Sequence, residues 1–208
     1  IIRSDILIAL FLPETITEKN KKIIFDVKCS EALEKMIIHH GGEPLMWKTG
    51  HSLIKDKMKQ ETATFAGEMS GHIFFADDYY GFDDAIYASL RLLQTINNEK
   101  KSLDNIYDEL PKMLNTKEIR IDCSEEEKFE IVERIKLKLK NEGADITEID
   151  GVRFNSKNGW WLLRASNTQA CLTLRVEANN ENSLNALKTG LMNILNENKL
   201  HIEMSELV

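Results

Sequence analysis

Residues 23–51 read Ile23-Ile24-Phe25-Asp26-Val27-Lys28-Cys29-Ser30, then Glu-Ala-Leu-Glu-Lys-Met-Ile-Ile-His-His over 31–40, then Gly41-Gly42, then Glu-Pro-Leu-Met-Trp-Lys over 43–48, then Thr49-Gly50-His51. This stretch decides the fold class. Ile23–Val27 is short, apolar and rich in β-formers, so it reads as a buried strand. Over Ser30–His40, Leu33, Met36 and Ile37 fall at helical spacing, and Gly41-Gly42 stops the helix. Pro44–Lys48 is a second strand, Thr49-Gly50 a tight strand-to-helix turn, and His51–Lys59 a second helix. Strands alternating with helices build layered α/β domains around a parallel sheet.

Working outward, Thr64–Ala66 and Ile73–Phe75 read as two more short strands with Gly67–His72 between them. Phe82–Asn97 reads as an amphipathic helix with Ile86, Leu90 and Leu93 on one face. Upstream, Asp5–Leu12 is a short buried helix ended by Pro13, with Glu18–Lys22 as a loop. Residues 98–118 are polar, carry one helical piece at Leu103–Leu110 ended by Pro111, and read as a linker. A different pattern follows. Ile119–Ile121 is a strand, and Ser124 with Glu127 forms a capping box for a long helix that places Lys136 on its solvated face. Val152–Phe154, Trp160–Leu163 and Cys171–Glu177 are strands, and Asn182–Asn196 is a closing helix. The expectation is an α/β layered domain over 1–112 followed by a small α+β domain with an antiparallel sheet over 116–208.

Composition narrows the function. The 208 residues carry a formal net charge of −7 and a pI near 5.4, without the basic surplus of a nucleic-acid binder. No apolar run approaches the ~20 residues that span a bilayer. Cys29, Cys123 and Cys171 are widely spaced without a CxxC pattern, which suits a reducing, cytoplasmic compartment. The first residues, Ile1-Ile2-Arg3-Ser4-Asp5, are not a signal peptide and lack an initiator Met, as in a chain that begins inside a longer protein. An acidic chain that handles an anion must gather its cations locally.

Three clusters could do so. Gly67-Glu68-Met69-Ser70-Gly71-His72 sets a carboxylate, a hydroxyl and an imidazole between glycines. A carboxylate beside a hydroxyl can hold neighbouring sugar hydroxyls, and an imidazole can move a proton. An ordinary turn accounts for the same spacing. Lys28 follows a strand's carboxyl end, where ligands bind in α/β folds, and His51 opens a helix, where anions are favoured. Taken singly, Lys28 reads first as a solvated charge and His51 as a cap or surface group. Arg164-Ala165-Ser166-Asn167-Thr168 has the make-up of a phosphate clamp, with a planar fork, two hydroxyls and an amide, although a polar hairpin loop has that make-up too. Asp77-Asp78 and Asp83-Asp84 read as a solvated turn and a helix start, and His39-His40 as a favourable helix end. Trp160-Trp161 reads as sheet packing, and no metal-ligand spacing is present.

Taken in order, Asp26–Ser30, Gly41-Gly42, Trp47–Ser52, Gly67–His72, Phe82-Asp83-Asp84 and Arg164–Thr168 resemble the landmarks of the α-D-phosphohexomutase family across nearly the whole chain. Met69 resembles the phosphomannomutase/phosphoglucomutase branch. The resemblance implies the third and fourth of four domains. Glu68, Met69, Ser70 and Gly71 would lie at the sugar, and Lys28, His51 and His72 would be the catalytic or proton-transfer groups. Arg164, Ala165, Ser166, Asn167 and Thr168 would hold the non-reacting phosphate. The implied reaction interconverts hexose 1-phosphate and hexose 6-phosphate through a hexose 1,6-bisphosphate intermediate and uses Mg2+. Neither a TxSHNP-like serine loop nor a DGDxDR metal loop is present, so the chain alone is expected to be catalytically incomplete. A partner N-terminal half would then carry those loops. A free-standing sugar-phosphate-binding protein is the alternative. Ala170 stands where the family usually has Pro, which implies a looser phosphate loop.

Overall fold

Strand β1 (Lys22–Asp26) buries both its faces, as strands of parallel sheets do. The computed structural model, which describes residues 2–200 and 202–207, shows against what. Ile23 and Phe25 share a core with helices α1 (Ser4–Thr15) and α2 (Glu31–His39), whereas Ile24 packs with Ile54 and Met58 of α3 (His51–Glu61). Strand β1 pairs in parallel with β2 (Glu43–Trp47) on one side and β3 (Phe65–Gly67) on the other. Strand β4 (Ile73–Phe75) closes the sheet antiparallel to β3, so the order is β2-β1-β3-β4. The layered α/β arrangement is present, with one antiparallel edge strand added.

Two expectations for this unit need correction. Helix α1 does not end at Pro13 but runs on to Thr15. Proline removes one backbone donor, but so near the end little ladder is lost. The Thr15 hydroxyl donates to Phe11 O at 2.9 Å and Ile16 N to Leu12 O at 3.0 Å, which close the last turn. Helix α4 (Ala85–Glu99) begins later than expected, with Asp84 as its cap accepting from Tyr87 N at 3.0 Å. Its apolar face points outward: Ile86, Leu90 and Leu93 are 77%, 60% and 63% exposed. The inner face is held by aromatic and charged contacts instead. Tyr87 stacks on Tyr79 at 3.9 Å, and the Arg91 guanidinium lies 4.4 Å above the Phe75 ring while both its terminal nitrogens reach Asp77 at 3.1 Å.

The chain divides into two compact units, Ile1–Pro111 and Lys112–Val208. The expected linker is more ordered than its composition suggests, since it holds the end of α4, helix α5 (Leu103–Glu109) and strand β5 (Leu114–Asn115). Strand β5 pairs antiparallel with the end of β10 and so belongs to the second unit's sheet. The rest of that unit runs β6 (Ile119–Asp122), α6 (Glu125–Asn141), β7 (Ile146–Thr147), β8 (Val152–Ser156), β9 (Gly159–Ala165), β10 (Cys171–Ala178) and α7 (Glu181–Glu197). Its antiparallel sheet has the order β5-β10-β9-β8-β7, with β6 also pairing β10.

Alternation along β9 and β10 sets the two faces of this sheet. Trp161, Leu163, Leu172, Leu174 and Val176 pack on Ile135 and Leu139 of α6 and on Leu191 and Leu195 of α7. The opposite face carries Trp160, with the Arg153 guanidinium 3.8 Å above its ring and its Nε1 donating to Glu177 at 3.0 Å. Ser124 caps α6 by accepting from Glu127 N at 3.2 Å, and its hydroxyl donates to the Glu127 carboxylate at 2.8 Å. Among the described residues, no helix is long and apolar enough to cross a membrane.

Candidate functional site

Asp26 ends β1 with its carboxylate wholly buried. It accepts from Thr49 Oγ1 at 3.0 Å, from Met69 N at 3.0 Å and from Cys29 Sγ at 3.1 Å, and Lys28 Nζ stands 3.9 Å away. One carboxylate therefore ties together the loop after β1, the turn before α3 and the loop between β3 and β4. That last loop, Gly67–His72, is closed by Glu68 N donating to His72 O at 2.9 Å and Gly71 N to Glu68 O at 3.0 Å. Gly71 sits at φ +102°, where a side chain would be strained. Gly67 serves packing and not ligand approach, because a Cβ there would lie 2.5 Å from Ile8 of α1.

Glu68 is 1% exposed, and its carboxylate is matched on one side only. Oε1 accepts from Gly50 N at 2.6 Å, while Oε2 is buried and has no donor among the described residues. Burial pushes the Glu68 carboxyl above its ordinary 4.5; the Gly50 amide opposes the rise, Asp26 adds to it, and His72 and Lys28 oppose it. The His51 and His72 rings lie 5.8 Å apart between centroids. His72 Nδ1 is 2.5 Å from Asp83 Oδ2. A carboxylate only accepts, so Nδ1 carries the proton and Nε2 is left for another partner.

Lys28, His51, Glu68 and His72 are thus brought together, as their chain order suggested. Met69 enters through its backbone amide, its side chain packing toward the α1 core. Ser70 and Gly71 are exposed at the loop tip. A groove of about 600 Å³, lined by Lys55, Met58, Thr62, Tyr80 and Phe82 among others, lies along α3 and includes none of these site residues.

In the second unit, the five-residue phosphate-clamp candidate spans the end of β9 and the loop into β10. Arg164 is buried, and its Nε and a terminal nitrogen both reach Asp150 Oδ2 at 3.1 Å, so its fork is already turned onto a carboxylate. Ala165 is buried as the last residue of β9. Ser166 Oγ accepts from Gln169 N at 3.2 Å and Thr168 N at 3.4 Å, which folds the loop on itself and leaves Asn167 and Thr168 exposed. Beneath it lies Lys128 of α6, its side chain 1% exposed, donating to Ser166 O at 2.7 Å and Gln169 O at 3.0 Å. Lys136 is not on an open helix face: it is half-buried and lines a groove of about 460 Å³ with Asn167, Ala165, Glu133 and Glu148.

Sequence reasoning missed Asp26, Asp83, Asp150 and Lys128. Asp83 carries a faint signal, since Asp84 alone satisfies the helix cap and leaves its neighbour without a task. Lys128 carries none, because a lysine among the glutamates of a first helical turn looks like any solvated charge. Among the described residues, no group of three His, Cys, Asp or Glu side chains gathers as a metal site.

Comparison with known proteins adds an independent line. The family model described as phosphoglucomutase/phosphomannomutase, alpha/beta/alpha domain III, matches residues 3–114, and that described as phosphoglucomutase/phosphomannomutase, C-terminal domain, matches residues 118–194. A phosphomannomutase/phosphoglucomutase of Pseudomonas putida is 46% identical over 189 residues, covering 90% of this chain and 41% of that protein. A phosphoglucomutase of Neisseria gonorrhoeae is 39% identical over 204 residues, covering 95% of this chain and 44% of that protein. A crystal structure of a phosphoglucomutase/phosphomannomutase family protein from Burkholderia thailandensis superposes with a TM-score of 0.86 at 34% identity, covering 97% of this chain and 43% of that one. The chain spans less than half the length of each of these relatives.

Proposed function

Since the chain belongs to the phosphoglucomutase/phosphomannomutase family and matches its domain III and C-terminal domain models, we propose that it is the substrate-recognition part of a cytoplasmic phosphohexomutase. In this reading the whole enzyme interconverts hexose 1-phosphate and hexose 6-phosphate through a 1,6-bisphosphate. The phosphoryl donor serine and the Mg2+ loop belong to a portion outside these residues. The observation that carries the reading is Glu68 Oε2, a buried acceptor with no donor among the described residues, beside an exposed Ser70 hydroxyl and close to His51, His72 and Lys28. A buried unmatched acceptor costs stability, and a sugar hydroxyl is a donor of the right chemistry to satisfy it.

The chemistry assigned to these residues is recognition and proton handling. Glu68 and Ser70 take sugar hydroxyls, and Met69 and Gly71 shape the loop that presents them. Arg164, Ser166, Asn167 and Thr168 take the phosphate that does not react, Arg164 exchanging Asp150 for phosphate oxygens, while Ala165 anchors the loop in β9. When a sugar oxygen attacks phosphorus its proton must leave, and His72, oriented by Asp83, offers Nε2 to receive it. Lys28 supplies positive charge beside the reacting oxygens, and His51 is a further binding or proton-transfer group there. Titrating glucose 1-phosphate and inorganic phosphate into native and Glu68→Gln chains tests the assignment. The variant is expected to lose affinity for the sugar phosphate and keep its affinity for inorganic phosphate. A parallel loss of both would remove hydroxyl recognition from Glu68.

A further inference from the structure

Lys128 spends its ammonium on another loop's backbone. Its three N–H donors meet three acceptors: Ser166 O at 2.7 Å, Gln169 O at 3.0 Å and Glu125 Oε2 at 2.6 Å, and its side chain is 1% exposed. Ser166 is buried and its carbonyl needs an internal donor, whereas Gln169 is exposed and water could meet its carbonyl. Burying an ammonium is expensive, and Glu125 offsets only part of that. What the arrangement does achieve is orientation. In a trans peptide the C=O and the following N–H point opposite ways. Drawing the carbonyls of Ser166 and Gln169 inward turns the N–H groups of Asn167 and Ala170 outward. Neither amide has an acceptor among the described residues, and both residues are exposed. The Ser166 hydroxyl collects the two amides between them, from Thr168 and Gln169. The loop therefore presents two outward amides, at Asn167 and Ala170, on the side away from a fixed cation, as donors that an anion can meet.

We propose that Lys128 is the positioning residue of this loop: it holds the Asn167 and Ala170 amides outward for the phosphate of the substrate, without touching that phosphate. The inference rests on the reading of Arg164–Thr168 as the phosphate loop and adds a residue and a backbone mechanism to it. The Ala170 amide is a donor particular to this chain, since the proline that the family usually carries there has no N–H.

The test is an amide-resolved NMR titration of the 15N-labelled chain with inorganic phosphate and then with glucose 1-phosphate. In the native chain the Asn167 and Ala170 amide signals shift on adding phosphate. In Lys128→Met the affinity for both anions falls about tenfold or more, the expected effect of losing a charged hydrogen bond, and those two shifts disappear. Lys128→Arg, which keeps the charge and the donors, recovers part of the affinity and both shifts. Native-like affinity and shifts in Lys128→Met overturn the proposal. So does a native chain that binds phosphate without moving the Asn167 and Ala170 amides, an outcome that stands even where the variant does not fold. Failure of the native chain to bind either anion would overturn the proposed function, and this inference with it.

Discussion

A carboxylate buried with one oxygen unmatched destabilises the fold that holds it, and Glu68 is in that position at the centre of the candidate site. Its carboxyl is raised above the ordinary 4.5 chiefly by burial. The native state therefore holds this proton more tightly than the unfolded chain. The stabilising share of Glu68 is present at low pH and is lost as pH rises from about 4.5 through its raised value. The melting temperature of the native chain, taken relative to Glu68→Gln, should fall as pH is raised across that window. A difference that rises with pH would put the Glu68 carboxyl below its ordinary range. Lys28, His51 and the Gly67–His72 loop were singled out as site residues by the order of landmarks along the chain, since their types and spacing taken singly suit ordinary turns and surface charges as well. Asp26 and Asp83 were not. Their partners lie 43 and 11 residues away, at Met69 and His72, and only the fold brings them within reach.

Helix α4 shows where element-scale reading stops. Periodicity located a helix and its apolar stripe, but it cannot say which face the rest of the molecule covers. The inner side is fixed by Arg91, whose two terminal nitrogens reach Asp77 at 3.1 Å, with Tyr87 Oη at 3.2 Å and Glu14 at 3.8 Å. Burial acts to raise the Asp77 carboxyl, but the Arg91 guanidinium and nearby backbone amides outweigh it and hold it below the ordinary 3.8. Its contribution is therefore complete above that value and is lost as pH falls through the depressed one. Asp77→Asn should lower the stability of the first unit by about 3 kcal/mol at neutral pH, because it strands a buried guanidinium. Urea denaturation checks this. An unchanged midpoint would mean that Glu14 and Tyr87 suffice to hold Arg91. In the second unit the capping box placed the start of α6 correctly, whereas the two-residue strands β5 and β7 are too short to show any period.

For the molecule as a whole, the order of its landmarks is what identifies the family in the sequence. What the order could not supply is how an acidic chain of net charge −7 disposes its cations. The answer lies in cations placed singly beside loops: Lys28 beside Asp26, Lys128 under the Ser166–Ala170 loop and Arg164 on Asp150. Each is matched to a local acceptor, so none adds to a broad basic surface, and the partnerships that achieve this span tens of residues.

A calorimetric titration of glucose 1-phosphate into the native chain, Arg164→Ala and Lys157→Ala tests the central claim most directly. Lys157 is exposed at the turn between β8 and β9, at the opposite end of β9 from the Arg164–Thr168 loop, and serves as the control. Hydrogen bonds to charged groups contribute about 1.5–3 kcal/mol, so Arg164→Ala should bind about tenfold or more weakly while Lys157→Ala matches the native chain. Equal affinities for all three, or no heat of binding with the native chain, would contradict the assignment of this chain to sugar-phosphate recognition.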